Sequence, residues 1–183
     1  MSDRGLWLIV AITSHLGLFA QHVPADPPVF DGFPVPARTK ELLFYIQRNK
    51  NANTIIYEAR SNAHGVLDAK EPVSVFWIRY TDGDKREPLN ALENKLAYGV
   101  RHKTTKGGTA WMEFVASKEH PFRVEITPSG QAEARMLING RYARLDHVEV
   151  QAKEHGFWPK ILHVDLFGSE IATGRAISQR LHP

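Results

Sequence analysis

At 183 residues and a formal net charge of +3, the chain has too mild a basic excess to imply nucleic acid as a partner. It contains no cysteine, which excludes disulfides, thiol chemistry and the acylated cysteine of a bacterial lipoprotein. Its length suits one domain around a single core.

Residues 1–20 read as a signal peptide. Arg4 is a minimal charged start, and Leu6 to Ala20 is apolar apart from Thr13, Ser14 and His15. This stretch suits a signal core and falls short of the about 20 apolar residues that a membrane span needs. Ala20 is a small last residue for the signal, although Leu18 is larger than the small-x-small rule prefers. The alternative is an uncleaved N-terminal anchor. Cleavage removes Asp3 and Arg4 together, so the charge stays at +3. An exported, cysteine-free chain suits the periplasm or secretion, with no stable membrane span after processing. Residues 21–41 hold five of the eleven prolines and read as an extended arm. The arm leads into or lies across the first strand, and Phe30 and Phe33 can pin it there. Residues 42–183 read as one β domain.

Leu43–Arg48 and Thr54–Arg60 flank the turn-rich stretch Asn49–Asn53 and predict a hairpin. Ser61–Glu71 reads as a loop. The run Val73–Tyr80 lies between Pro72 and Asp82-Gly83 and carries large apolar groups on both faces, as a central strand does. Leu89, Leu92 and Leu96 then repeat at helical spacing and predict a short helix on the sheet. Gly107-Gly108 joins Tyr98–Lys106 to Thr109–Ser117, setting Thr104 opposite Trp111 and His102 opposite Glu113. Phe122–Thr127 is a further strand. Asn139-Gly140 is the clearest hairpin turn and sets Met136 opposite Ala143. Beyond Leu145 the apolar phase slips to Val148 and Val150, which predicts a β-bulge near Asp146-His147. Gly156–Pro159 reads as a loop. Ile161–Phe167 is a strand broken by Gly168, and Arg175–Leu181 is the last.

Strands this short and this evenly spaced predict an all-β fold. Sequential hairpins favour an antiparallel meander, either a lipocalin-like barrel or a two-sheet β-sandwich, with one short helix.

The segments F-Y-I-Q-R-x-x-N-x-N-T-I-x-Y-E, P-V-x-V-F-W-I-R-Y and P-L-N-x-L-E-x-K-x-A-Y-G-V resemble a bacterial family, domain of unknown function 4833. The later D-L-F-G-x-x-x-x-T-G is similar too. The resemblance spans roughly Leu43 to Leu181. It implies a fold and an exported chain, and no reaction.

No nucleophile elbow, phosphate loop, H-E-x-x-H or dinucleotide fingerprint occurs. Arg48, Glu58, Trp77, Arg79, Lys95 and Tyr98 mix charge with aromatics on segments that otherwise read as core. Charged groups there are rarely buried unless paired. One reading pairs Arg48 or Arg79 with Glu58 as a structural ion pair. The other makes Trp77 and Tyr98 a pocket wall, with Arg79 or Lys95 holding an anionic group. The metal candidates are His147 with Glu149 and His163 with Asp165, each pair sharing a strand face. No cofactor is expected. The first functional reading is a binding module for a small amphipathic or anionic ligand. The second is a structural or protein-interaction domain of the cell envelope, and the third a metal-dependent hydrolase.

Overall fold

The computed structural model describes residues 32–49, 51–153 and 159–183. The signal peptide, the arm before residue 32 and most of the Gly156–Pro159 loop lie outside the described residues. The strands are β1 (Leu42–Arg48), β2 (Asn51–Ala59), β3 (Val73–Arg79), β4 (Lys85–Pro88), β5 (Val100–Lys106), β6 (Thr109–Phe114), β7 (Phe122–Ile126), β8 (Ala132–Ile138), β9 (Arg141–Lys153), β10 (Lys160–Glu170) and β11 (Ala176–Leu181). A 3-10 turn (Tyr80–Asp82) follows β3, and helix α1 (Ala91–Leu96) follows β4. The fold is all-β with one short helix, as the sequence predicts.

The strands form one sheet in the order β4-β3-β2-β1-β9-β8-β7-β6-β5, with β10 and β11 branching from β9. The sheet curls into a half-barrel. β9 is the branch point. Its first residues pair with β8 and its middle pairs with β1, while β10 runs along its other edge. One pairing departs from a meander: β1 and β9 run parallel. The expected bulge is present. Leu145 pairs with Gly168 and His147 with Phe167, so Asp146 is the extra residue. The bulge keeps the core phase, because Ala143 and Leu145 before it and Val148 and Val150 after it are all buried.

The core fills the inside of the curl. Phe44 stacks on Tyr57 at 4.2 Å, and Phe114 and Phe122 pack edge-on to Phe44. The outer face of β1 and β2 is buried as well, at Gln47 and Thr54. There the Gln47 amide donates to the Pro34 carbonyl at 2.9 Å, which lays the end of the arm over the first strand.

Several local readings are corrected. β2 starts at Asn51, so the Asn49–Asn53 stretch is mostly strand. β4 forms beside β3 in a stretch for which the sequence predicts no element, pairing Trp77 with Glu87 and Arg79 with Lys85. Thr104 does face Trp111, but an irregularity between His102 and Thr104 moves His102 opposite Met112. β10 continues through Gly168. A Cβ there would meet the Arg144 carbonyl oxygen at 2.2 Å, so the residue marks a close backbone approach opposite the bulge. Asn90 caps α1 by accepting from the amides of Leu92 and Glu93, and Glu93 accepts from the Asn90 amide in return. The helix does not seat its leucines on the sheet: Leu92 and Leu96 are 49% and 61% exposed.

Candidate functional site

Four of the six predicted ligand-binding residues meet on the inner side of the curl. Trp77 and Arg79 share a face of β3, and Arg48 ends β1 beside them. The Arg79 guanidinium lies 4.5 Å from the Trp77 ring centroid, and that of Arg48 lies 5.4 Å from it. Arg48 also sits 5.8 Å from the Tyr98 ring, which packs edge-on to Trp77 at 5.5 Å. Trp77 is only 1% exposed, so it is a core residue and not an open pocket wall. Its indole Nε1–H donates to Glu93 Oε2 at 3.2 Å, tying the helix to β3. Below it, the Tyr57 hydroxyl donates to the Tyr98 carbonyl at 2.6 Å.

Glu58 and Lys95 stand apart from this cluster. Glu58 pairs across the sheet with Ser74, on the outer face, and its carboxylate accepts from Arg86 at 2.8 Å. The proposed Arg79–Glu58 and Arg48–Glu58 pairs do not form. Arg79 donates instead to Glu87 on β4 at 2.9 Å. Lys95 is exposed on α1.

The four metal candidates do come together on the outer face. Asp165 pairs directly across from Glu149, and both are buried. The His147–Glu149 contact is 3.7 Å and the His163–Asp165 contact 3.6 Å. Arg180 takes both Asp165 oxygens, at 2.7 and 2.8 Å, and His147 is stacked between Tyr45 and Phe167. Among the described residues no group of three or more such side chains has the geometry to hold a metal ion.

A cleft among the described residues was missed by sequence reasoning. The two ends of the half-barrel do not join, and a cleft of about 470 Å³ lies along the seam. Val73, Val75, Leu89, Val100 and Met112 form its apolar floor, and Arg60, Lys70, Glu71, Ser74, Asn94 and His102 its polar walls. The Glu71 carboxylate is already held by Arg60. His102 Nε2 is 2.8 Å from the Thr105 hydroxyl. That leaves Lys70 as the exposed cation at the rim. The only hints in the sequence were Val73 and Val75 on the Trp77 face and His102 in a basic hairpin. A second cleft, of about 480 Å³, lies between the Ser61–Gly65 loop and the β7–β8 turn and includes His64 and Gln131.

The strands and spacings above carry a family assignment. The sequence profile of Domain of unknown function (DUF4833) matches residues 44–180. The chain belongs to the DUF4833 family. The match begins within β1 and ends within β11, so nearly all of the half-barrel and its open seam lie within the DUF4833 region. No curated protein and no solved structure matches the chain.

Proposed function

We propose that this DUF4833 chain is a binding module for a small amphipathic ligand, held in the seam cleft with its anionic head at Lys70. The observation that carries the reading is the cleft itself: a concave site whose apolar floor is set among a larger share of polar groups, with Lys70 at the rim. It supports binding and no particular reaction. Export is part of the proposal and rests on the Leu6–Ala20 stretch, with the mature chain in the periplasm or secreted. No helix among the described residues is long and apolar enough to cross a membrane.

The test is a fluorescence titration with anilinonaphthalene sulfonate, an aromatic anion of suitable size. Wild type should bind it saturably, and Lys70→Glu should bind it at least about tenfold more weakly, equivalent to about 1.4 kcal/mol. Equal affinity in the two proteins would remove Lys70 and the cleft from the account.

A second reading, a protein-interaction domain, is favoured by one observation. Leu92 and Leu96 expose apolar surface on α1 beside the seam. Pull-down from the host with wild type and a Leu92→Glu, Leu96→Glu double variant tests it. A partner retained by both proteins would count against this surface.

A further inference from the structure

We propose that Arg48, with the Tyr98 hydroxyl, forms a second site that binds a small oxyanion such as a carboxylate. This goes beyond the seam cleft, since neither residue lines that cleft. The argument starts from an unmet donor. Arg48 Nε is buried and has no hydrogen-bond partner. A guanidinium cannot deprotonate to relieve this, and a buried unsatisfied donor is costly.

The neighbouring carboxylates are already engaged. Glu87 accepts from Arg79, and Glu93 accepts from the Trp77 indole and the Asn90 amide. Among the described residues no carboxylate forms an ion pair with Arg48. Arg123 has the same unmet Nε, but its Nη2 reaches Glu125 at 2.9 Å, so its charge is balanced. Among the described residues the Arg48 charge faces the π faces of Trp77 and Tyr98 and no carboxylate.

Tyr98 completes the donor set. Its ring lies 5.8 Å from the Arg48 guanidinium, and a phenol oxygen turned toward the cation keeps its own O–H to donate onward. Burial raises the Tyr98 pKa despite the nearby cation, so the hydroxyl keeps its proton at neutral pH. A guanidinium N–H and a phenol O–H offered together match the two oxygens of a carboxylate. Both residues are half-buried, so part of each reaches solvent while the Arg48 Nε lies in a low-dielectric setting.

Sodium formate is the probe, titrated against sodium chloride at fixed ionic strength. Two readouts are followed: the melting temperature and the side-chain Nε–H resonance of Arg48 by NMR. Formate should raise the melting temperature saturably and shift the Arg48 resonance with the same midpoint. Arg48→Met should abolish the saturable rise, and Arg123→Met should keep it. If Arg48→Met does not fold, Tyr98→Phe serves, with a formate midpoint at least about tenfold higher. An unmoved Arg48 resonance in wild type, or an unchanged formate response in either Arg48→Met or Tyr98→Phe, would overturn the proposal. Failure of Lys70→Glu to weaken the aromatic anion would leave this result untouched, so the two sites are judged separately.

Discussion

Arg79 lies over the Trp77 ring, 4.5 Å from its centroid, and gives its Nε–H to Glu87, not to Glu58. Glu58 points to the opposite face of the sheet. A double-mutant cycle should therefore find coupling between Arg79 and Glu87 of about 0.2–1 kcal/mol, as for a partly exposed ion pair. The Arg79–Glu58 cycle should give none. Arg79→Met should then cost little stability, since no carboxylate is left buried without a partner. A large loss relieved by Glu58→Gln would contradict this pairing.

The Asn139-Gly140 turn has φ values of 49° and 74°, both in the left-handed region that a type I′ hairpin requires. A Cβ at Gly140 meets no other atom within 4 Å, so the cost of adding one arises from the backbone. Gly140→Val should lose on the order of 1–3 kcal/mol. Thermal unfolding measures it, and an unchanged melting temperature would mean that the turn tolerates β-branched residues.

Gly168 is a different case, because its constraint is contact. An added methyl would press on the Arg144 carbonyl and on Ile138 Cδ1, at 2.8 Å from the latter. Gly168→Ala should lose about 1–3 kcal/mol through overpacking. A neutral result in denaturant unfolding would mean that β10 can slide away from the bulge.

These two glycines show what the sequence made legible. Asn139-Gly140 is local chemistry, so its turn and the register of Met136 with Ala143 could be read directly. The bulge at Asp146 was legible because a phase slip in apolar residues has one simple cause. Gly168 read as a break because the backbone it approaches, at Arg144, is far away in sequence. The site shows the same division. Period two placed Trp77 and Arg79 together. The pairing of Glu58 with Ser74 depends on the loop between β2 and β3, and nothing local sets that register. The seam depends on strand tilt and stagger summed over the whole sheet, which no segment encodes.

Burial holds the Tyr57 pKa well above its usual value, with the nearby Tyr98 adding to the effect. The sign follows from linkage. Below about pH 10 Tyr57 is protonated in both folded and unfolded chains, and its contribution is fully present. As pH rises past about 10, the unfolded chain releases the proton and the folded one does not, so stability falls. Tyr45, Tyr80 and Tyr98 are also raised, each mainly by burial, and act in the same direction. Denaturant midpoints measured from pH 8 to 11 should fall, and Tyr57→Phe should make the fall shallower. A slope unchanged by Tyr57→Phe would contradict the assignment.

The central claim is that the open seam holds a small amphipathic molecule. Calorimetric titration with dodecanoate tests it most directly, on wild type and on Val75→Trp and Leu89→Trp variants that fill the floor. The account predicts one saturable site in wild type and affinity at least about tenfold lower in whichever filled variants stay folded. No saturable heat in folded wild type, or equal affinity in a folded, filled variant, would contradict it.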